Sequence, residues 1–261
     1  TALLLLGESR VGKTHLLEHF LGEHPRVKGE ERDLYPVIKV DAPHQESPKW
    51  LSHRILKEMN YPRPDKAAAN SLSEDIIRFS QMVQTRMIII DEVHQLVTEK
   101  NNRPTELRRA VSLLKDILNH GGISLVLSGT ANAAVFSNYN TEFGERVSVH
   151  RLAPFEWSNK QERKEFRGYV VSALEKLPLP VSADIGELSL SARLFVAADG
   201  YVGRVHRLLR DAAIRARFKQ ERVVRLETLS ECFERTRKGQ NFDLNPFAVK
   251  ADDVQAAFDL M

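Results

Sequence analysis

The sequence predicts an α/β fold in which helices cover both faces of a parallel sheet, followed by a small helical domain. Short, almost wholly apolar runs occur at 1–6, 87–91 and 123–129, and segments with helical spacing separate them. Near-continuous hydrophobic strands that alternate with helices are typical of a parallel sheet buried on both faces. After Pro154 the pattern becomes mostly helical. We therefore expect a core over 1–157, a helical lid domain over 158–240 and a tail over 241–261.

The predicted elements follow one another as strand, helix, strand and helix. Strands are predicted at 1–6, 37–40, 86–92, 123–130 and 146–152, and helices at 14–21, 48–59, 73–84 and from residue 104 onward. The last of these helices opens with a proline, which suits a first helical turn. Its apolar stripe consists of Leu107, Val111, Leu114 and Leu118.

Composition excludes several classes of protein. A chain of 261 residues with 42% hydrophobic content can bury one sizeable core and a second small domain. The single cysteine, Cys232, excludes an intrachain disulfide and favours a reducing, intracellular compartment. No apolar run approaches the roughly 20 residues that span a bilayer, so no membrane partner is expected. The chain begins inside a strand pattern without Met, so we expect residues to precede it.

The clearest motif is GESRVGKT at 7–14, between a strand and a helix. Its glycines allow successive backbone N–H groups to turn toward phosphate oxygens, and the following helix directs its positive end at them. Lys13 would neutralise the β and γ phosphates, and the Thr14 hydroxyl would bind Mg²⁺. The predicted nucleotide-binding segment comprises Gly7, Glu8, Ser9, Arg10, Val11, Gly12, Lys13, Thr14 and His15.

The run MIIIDE supplies the second half of a nucleotide site. An apolar strand delivers Asp91 to the metal, and the adjacent Glu92 could act as a base that polarises water. A kinase for small molecules must protect the γ-phosphate from water. A base placed beside the metal ligand therefore favours hydrolysis of ATP over phosphoryl transfer to a metabolite.

Further polar candidates lie at the ends of elements. LSGT ends the fourth strand and places Ser128 or Thr130 where it could sense the γ-phosphate; for either residue, an ordinary strand-to-loop turn is the alternative. Arg146 precedes the fifth strand and could act as a finger on a neighbouring subunit's nucleotide, a role for which Arg151 competes. Arg204, after two glycines, could bring the helical domain onto the phosphates. For each arginine the alternative is a solvated surface position.

These motifs together resemble those of AAA+ ATPases. The resemblance rests on GESRVGKT, IIIDE, LSGT, Arg146 and GYVGRVHRLL, and it covers nearly the whole chain. The segments VDAP, LVLSGT, HRLAPFEW and NPF resemble, more narrowly, the TniB/TnsC group of transposition regulators. The resemblance implies an AAA+ P-loop NTPase core with a helical lid, using ATP and Mg²⁺.

The same resemblance implies a cellular role. It implies a DNA-activated ATPase that assembles with itself as a ring or filament on duplex DNA. Such a regulator links a target-selection protein to the transposase, in the bacterial cytoplasm and in association with the nucleoid. The alternative function is a protein-directed P-loop ATPase switch with no role on DNA. A phosphotransferase for a metabolite is disfavoured by Glu92.

Duplex DNA would be held through its backbone rather than by base reading. The polar segment 98–109 carries Lys100 and Arg103, which we expect to contact phosphates; the alternative is a solvated loop. The arginine-dense stretch 204–225 is a second candidate, compatible with a polyanionic partner. The nine histidines show no metal spacing, so Mg²⁺ is the one metal expected.

The tail contains Phe242, Phe247 and Phe258. These side chains would be exposed if the tail were free, which would suit docking onto a partner. The alternative is that the tail packs against its own lid domain.

Overall fold

The structure is a computed structural model, and it describes residues 1–43, 48–62, 72–96, 104–120, 122–139, 141–182, 186–236 and 245–249. Its strands are β1 (Ala2–Leu6), β2 (Val37–Asp41), β3 (Met87–Asp91), β4 (Ser124–Gly129) and β5 (Val147–Arg151). The helices of the first half are α1 (Lys13–Glu23), α2 (Pro48–Glu58), α3 (Leu72–Met82), α4 (Pro104–His120), α5 (Val135–Asn138) and α6 (Thr141–Gly144). Those of the second half are α7 (Lys160–Glu175), α8 (Glu187–Ala198), α9 (Val202–Phe218) and α10 (Leu226–Thr236).

The described residues form two compact units: one comprises 1–9 and 13–152, the other 10–12 and 153–261. In the first unit the strands form one parallel sheet in the order β2-β3-β4-β1-β5. The predicted parallel α/β fold is therefore confirmed. Because all strands run the same way, the carboxyl ends of β1, β3 and β4 meet at one edge, where Leu6 lies beside Gly129 and Asp91 beside Asp41.

Two apolar clusters cover the two faces of this sheet. On one face, residues of α2, α3 and α4 such as Ile55, Ile76 and Leu114 pack with alternate strand residues. On the other face, Leu17 of α1 packs with the intervening strand residues, including Ile89. Alternation along each strand produces this division, since successive side chains point to opposite faces.

The structure adds short helices that the sequence pattern does not predict. Two single turns of 3₁₀ helix, Val93–Leu96 and Ala131–Ala134, follow β3 and β4 directly, and α5 and α6 have only four residues each. None is long enough to show a helical repeat of apolar residues. Helix α1 begins at Lys13, one residue earlier than predicted.

The second unit is built around α7 to α10 and an aromatic cluster. Phe166 lies edge-on to Phe155 and Phe195, with ring centroids 5.7 and 5.2 Å apart. Gly200 has φ +73°, and a Cβ there would lie 2.2 Å from the Phe155 carbonyl oxygen, so only glycine fits. Within this unit, the Gly203 N–H donates to the Arg10 carbonyl at 2.9 Å. Among the described helices, none is long and apolar enough to cross a membrane.

The segment 245–249 packs against its own unit. Asn245 Nδ2 donates to Ser230 Oγ at 2.9 Å and to Glu234 Oε1 at 3.0 Å, both on α10. Its Oδ1 accepts the Phe247 N–H at 3.0 Å, which closes a local turn. Phe247 is buried, 6.0 Å from the ring of Phe233.

An arginine from α8 holds the same segment by its backbone. The buried Arg193 donates through Nη1 to the carbonyl of Pro246 and, at 2.9 Å, to that of Val249. For Phe247, the alternative of packing against its own domain is the one observed, and exposure for docking is not. Phe242 and Phe258 lie outside the described residues.

Candidate nucleotide-binding site

The segment that follows β1 turns back over the end of the sheet. The Gly7 N–H donates to the Gly129 carbonyl at 3.1 Å, which ties the start of the loop to the end of β4. The backbone then passes through the left-handed region at Arg10, with φ +72°, and at Gly12, with φ +110°. Glu8, Ser9 and Arg10 are exposed. A loop of this kind, followed by the first turn of α1, presents backbone N–H groups to an anion.

Lys13 is buried beneath the loop. Its Nζ donates to the carbonyl oxygens of Gly7 and Glu8, at 2.8 and 2.9 Å. Burial lowers the pKa of Lys13 from its ordinary value, and the carboxylates of Glu92 and Asp91 oppose that shift. The ammonium is thus held by the loop and faces both acidic side chains predicted for the site.

Thr14 and Asp91 meet although 77 positions separate them in the chain. Thr14 Oγ1 donates to Asp91 Oδ2 at 2.9 Å. Asp91 is 1% exposed, and its second oxygen, Oδ1, accepts the Glu92 N–H at 2.9 Å. The strand therefore delivers a fixed, buried carboxylate to the first turn of α1, as the motifs predict.

Lys39 of β2 also reaches this carboxylate. Its Nζ lies 3.6 Å from Asp91 Oδ2 and 3.3 Å from Asp41 Oδ1, and its side chain is largely buried. The sequence motifs do not identify Lys39 as part of the site. The signal that could have revealed it is a lone charged residue in the apolar run VIKV, at the strand position two before the end of β2.

Glu92 follows β3 with its backbone in the left-handed region, at φ +57°. The side chain is partly exposed, and Oε2 lies 3.3 Å from His94 Nε2. His94 Nδ1 in turn accepts the Thr130 N–H at 3.4 Å. His94 is a second site residue that the sequence motifs do not identify, because the DEVH run contains the histidine but gives no indication of the partners that its ring contacts.

The two candidate sensors occupy different environments. Thr130 lies just beyond β4, at the edge of the sheet. Ser128 is inside β4 and fully buried, and its Oγ has no hydrogen-bond partner among the described residues. Ser128 lies two residues after Val126, which packs with Leu17 of α1, so its side chain points to the face of the sheet that α1 covers. That buried hydroxyl is an unused donor on the same side of the sheet as Asp91.

The candidate arginines are held by local partners. Arg146 donates to the side-chain oxygen of Asn119 and lies 4.0 Å from Glu142, while its side chain is half exposed. Arg151 ends β5 and is exposed. In the second unit, the Arg204 guanidinium stacks 4.1 Å from the centre of the Tyr201 ring and lies 3.7 Å from Asp199.

Other predicted positions are simply located. His15 is exposed on α1, and Val11 is buried in the loop. Lys100 and Arg103, the predicted DNA contacts, lie outside the described residues. Their assignment therefore stays a prediction from the sequence.

The donor set fits Mg²⁺ bound together with a nucleotide. No cluster of three or more His, Cys, Asp or Glu side chains suited to a metal occurs in the described part of the chain. Thr14 and Asp91 contribute one hydroxyl and one carboxylate, close enough to contact each other. Mg²⁺ is usually held by one or two carboxylates, substrate phosphates and water, rather than by a full protein cage. Thr14 and Asp91 match that requirement.

Comparison with solved structures shows the fold. The ORC2 protein of Aeropyrum pernix in its ADPNP–ADP complexes is similar with a TM-score of 0.64 and 13% identity, over 89% of this chain and 61% of that one. The A. pernix ORC1 protein in complex with DNA gives a TM-score of 0.59 and 19% identity, over 91% and 60%. A Walker-type ATPase of Pyrococcus abyssi gives 0.58 and 16%, over 91% and 66%. This chain thus spans about 60% of the length of the first two.

Comparison with protein families identifies the family. No curated protein matches the chain. The family model described as "Bacterial TniB protein" matches residues 1–157, which is more than half of the sequence. The predicted resemblance is confirmed: the chain belongs to the TniB family, and its fold is that of an AAA+ P-loop NTPase.

Proposed function

We propose that this protein is a Mg²⁺-dependent ATPase that regulates DNA transposition by assembling on duplex DNA. The observation that carries the ATPase part is the contact between Thr14 Oγ1 and Asp91 Oδ2, beside the buried ammonium of Lys13. A phosphate-binding loop, a cation and a paired hydroxyl and carboxylate together form the minimum for holding a nucleoside triphosphate and its metal.

Each side chain has a defined part in hydrolysis. The loop N–H groups and Lys13 bind and orient the phosphates. Mg²⁺, when bound by Thr14 and Asp91, supplies positive charge that neutralises the β and γ phosphates. Glu92 accepts a proton from the attacking water. The Ser128 hydroxyl and the turn at Thr130 would register whether a γ-phosphate is present.

Assembly would couple this chemistry to a partner. We assign the trans-acting finger to Arg146, and Arg151 is the competing candidate. Both arginines are exposed, Arg146 just before β5 and Arg151 at its end, so either could reach a neighbouring subunit. Arg204 would contact phosphate from the lid. If a neighbouring subunit completes the nucleotide site, ATP binding favours assembly and assembly favours ATP binding, so the two form one coupled equilibrium.

The DNA part rests on family membership and on the sequence. One of the similar structures is described as a protein in complex with DNA, although an identity of 19% supports only the fold. The predicted contacts, Lys100 and Arg103, would bind phosphates without reading bases. A transposase and a target-selection protein are the further partners that the family suggests.

The test is ATP hydrolysis and sedimentation of the purified protein, with and without duplex DNA, at two salt concentrations. We expect duplex to stimulate turnover and ATP to drive large, salt-sensitive assemblies. Lys13→Ala should abolish nucleotide binding. If Lys13→Ala hydrolysed ATP normally, the ATPase site would be elsewhere. If the parent hydrolysed ATP but ignored DNA, the protein would be a switch that acts on other proteins.

A matched pair of variants separates specific DNA contact from general charge. Lys100→Glu with Arg103→Glu should abolish the stimulation by duplex and remove about two units from the slope of log affinity against log salt. Lys160→Glu with Lys164→Glu makes the same charge change at exposed positions on α7 and should leave stimulation intact. Equal losses in the two variants would argue against contacts at 100 and 103.

A further inference from the structure

His94 lies between the predicted catalytic base and the end of β4. Its Nε2 is 3.3 Å from Glu92 Oε2, and its Nδ1 is 3.4 Å from the Thr130 backbone nitrogen. Glu92 is two positions from His94 in the sequence, whereas Thr130 is 36 positions away. The imidazole thus joins the segment after β3 to the segment after β4.

The backbone contact determines which ring nitrogen carries the proton. The Thr130 N–H donates to Nδ1, so Nδ1 must offer its lone pair. The neutral ring therefore carries its proton on Nε2, the atom that faces the Glu92 carboxylate. The ring is therefore contacted at both nitrogens, by the Thr130 N–H at Nδ1 and by the Glu92 carboxylate 3.3 Å from Nε2.

Local geometry brings the ring to this place. Glu92 has φ +57°, and its carbonyl accepts the Gln95 N–H at 2.9 Å, so the chain turns at once into a single 3₁₀ turn that holds His94. On the other side, a Cβ at Gly129 would lie 3.3 Å from His94 Nδ1 and 2.8 Å from the Ala133 Cβ. Glycine at 129 therefore permits the close approach of β4 to the ring.

We propose that His94 is a positioning residue that holds the Glu92 carboxylate ready to accept a proton from water. The inference rests on the proposed ATPase function and deepens it. The Nε2 contact is with Oε2, so Oε1 is the oxygen of Glu92 that we assign to the water. A base oriented by a third group is the arrangement that activates many nucleophiles. Through Thr130, the position of the base depends on the strand end that is predicted to sense the γ-phosphate.

The test measures kcat, KM for ATP and nucleotide affinity in two variants, His94→Ala and His94→Gln. Alanine removes both contacts and should lower kcat by about 10- to 100-fold, the range found when an orienting partner is lost. The KM and the nucleotide affinity should stay within about twofold, because the contacts that alanine removes are with Glu92 and Thr130 rather than with the phosphate loop. Glutamine keeps one donor and one acceptor and should recover most of kcat.

A surface histidine provides the matched control. His19 on α1 also pairs with a glutamate, Glu23, at 3.6 Å, but both side chains are mostly exposed. His19→Ala should leave kcat unchanged. A normal kcat in His94→Ala would overturn the proposal. A raised kcat would overturn it too, because it would show that His94 holds the base away from the water. A glutamine variant as slow as the alanine variant would also overturn it.

The failure of this proposal differs from failure of the proposed function. If Glu92→Gln stops hydrolysis while His94→Ala does not slow it, only the positioning role is wrong. If Glu92→Gln hydrolyses ATP at the parent rate, Glu92 is not the base and the ATPase mechanism itself fails.

Discussion

Removing the Phe247 side chain should destabilise the second unit by about 3 kcal/mol. The ring is 3% exposed and packs with Phe233 of α10. A buried aromatic removes roughly 150–250 Å² from solvent, which at about 25 cal/mol per Å² corresponds to ~4–6 kcal/mol. Phe→Ala substitutions in cores cost about 3–5 kcal/mol. We take the lower figure because the ring belongs to a short segment that can leave the core without opening its centre.

The assay is urea unfolding followed by the fluorescence of Trp157. The chain has two tryptophans, and Trp157 lies in the aromatic cluster of the second unit, 4.9 Å from the ring of Phe195. Trp50 belongs to the first unit and is exposed, so a Trp50→Phe background isolates the signal. With an m-value of about 1–3 kcal/mol per molar urea, the midpoint should fall by roughly 1–3 M.

Phe218 supplies the control in the same unit. It lies at the end of α9 and is 85% exposed, so Phe218→Ala should change the free energy of unfolding by less than about 0.5 kcal/mol. Equal effects of the two substitutions would refute the argument that segment 245–249 is part of this core. A Phe247→Ala protein with an unchanged midpoint would refute it as directly.

Four further predictions concern the site and the lid. Glu92→Gln should bind nucleotide normally while hydrolysis falls by about 10²- to 10⁴-fold in single-turnover measurements. Arg146→Ala should lower turnover of the assembled form by at least about tenfold and leave the protomer's nucleotide affinity unchanged; a weaker affinity would make it a cis ligand. Lys39→Met should reduce the Mg²⁺ concentration for half-maximal hydrolysis by about fivefold, because Lys39 would no longer compete with Mg²⁺ for Asp91, a pairing worth ~1 kcal/mol. A higher Mg²⁺ requirement in the variant would mean that Lys39 instead holds the carboxylate in place for the metal. Hydrogen bonds from its lysine and arginine partners lower the pKa of the Glu231 carboxyl below its ordinary 4.5. Glu231→Gln should therefore lower the stability of the lid at pH 7. The unfolding curves of the parent and the variant should converge as the pH falls through that lowered pKa.

The sheet and the acidic end of β3 could be predicted because their information is local. An apolar run such as MIIID shows both a buried strand and the residue at which burial stops. Parallel strands place their carboxyl ends at one edge, so the loop at Gly7 and the carboxylate of Asp91 had to lie near each other. The short turns after β3 and β4 could not be predicted, since four residues carry no detectable period.

Lys39 and His94 escaped prediction for a different physical reason. In a sequence, neither a lysine in a strand nor a histidine in a turn reveals whether its side chain is solvated or paired with another group. Their significance depends on contacts across the fold, 3.6 Å to Asp91 for the lysine and 3.4 Å to the Thr130 nitrogen for the histidine. For Phe247 the sequence left two alternatives, docking onto a partner or packing against its own lid domain, because the residues of α8 and α10 that hold the segment are distant in the chain.

The strand order explains why the end of β4 contacts both halves of the nucleotide site. In the sheet, β4 lies between β3 and β1, so its end is next to both halves of the site. The Gly129 carbonyl accepts the Gly7 N–H, and the next residue, Thr130, donates its N–H to His94. On the β4 side both contacts use backbone atoms, the Gly129 carbonyl and the Thr130 N–H, so neither depends on the Thr130 hydroxyl. If the end of β4 senses the γ-phosphate as proposed, a displacement there would alter the contact with the phosphate loop and the contact with His94 together. Binding of ATP would then be linked to the orientation of the proposed base.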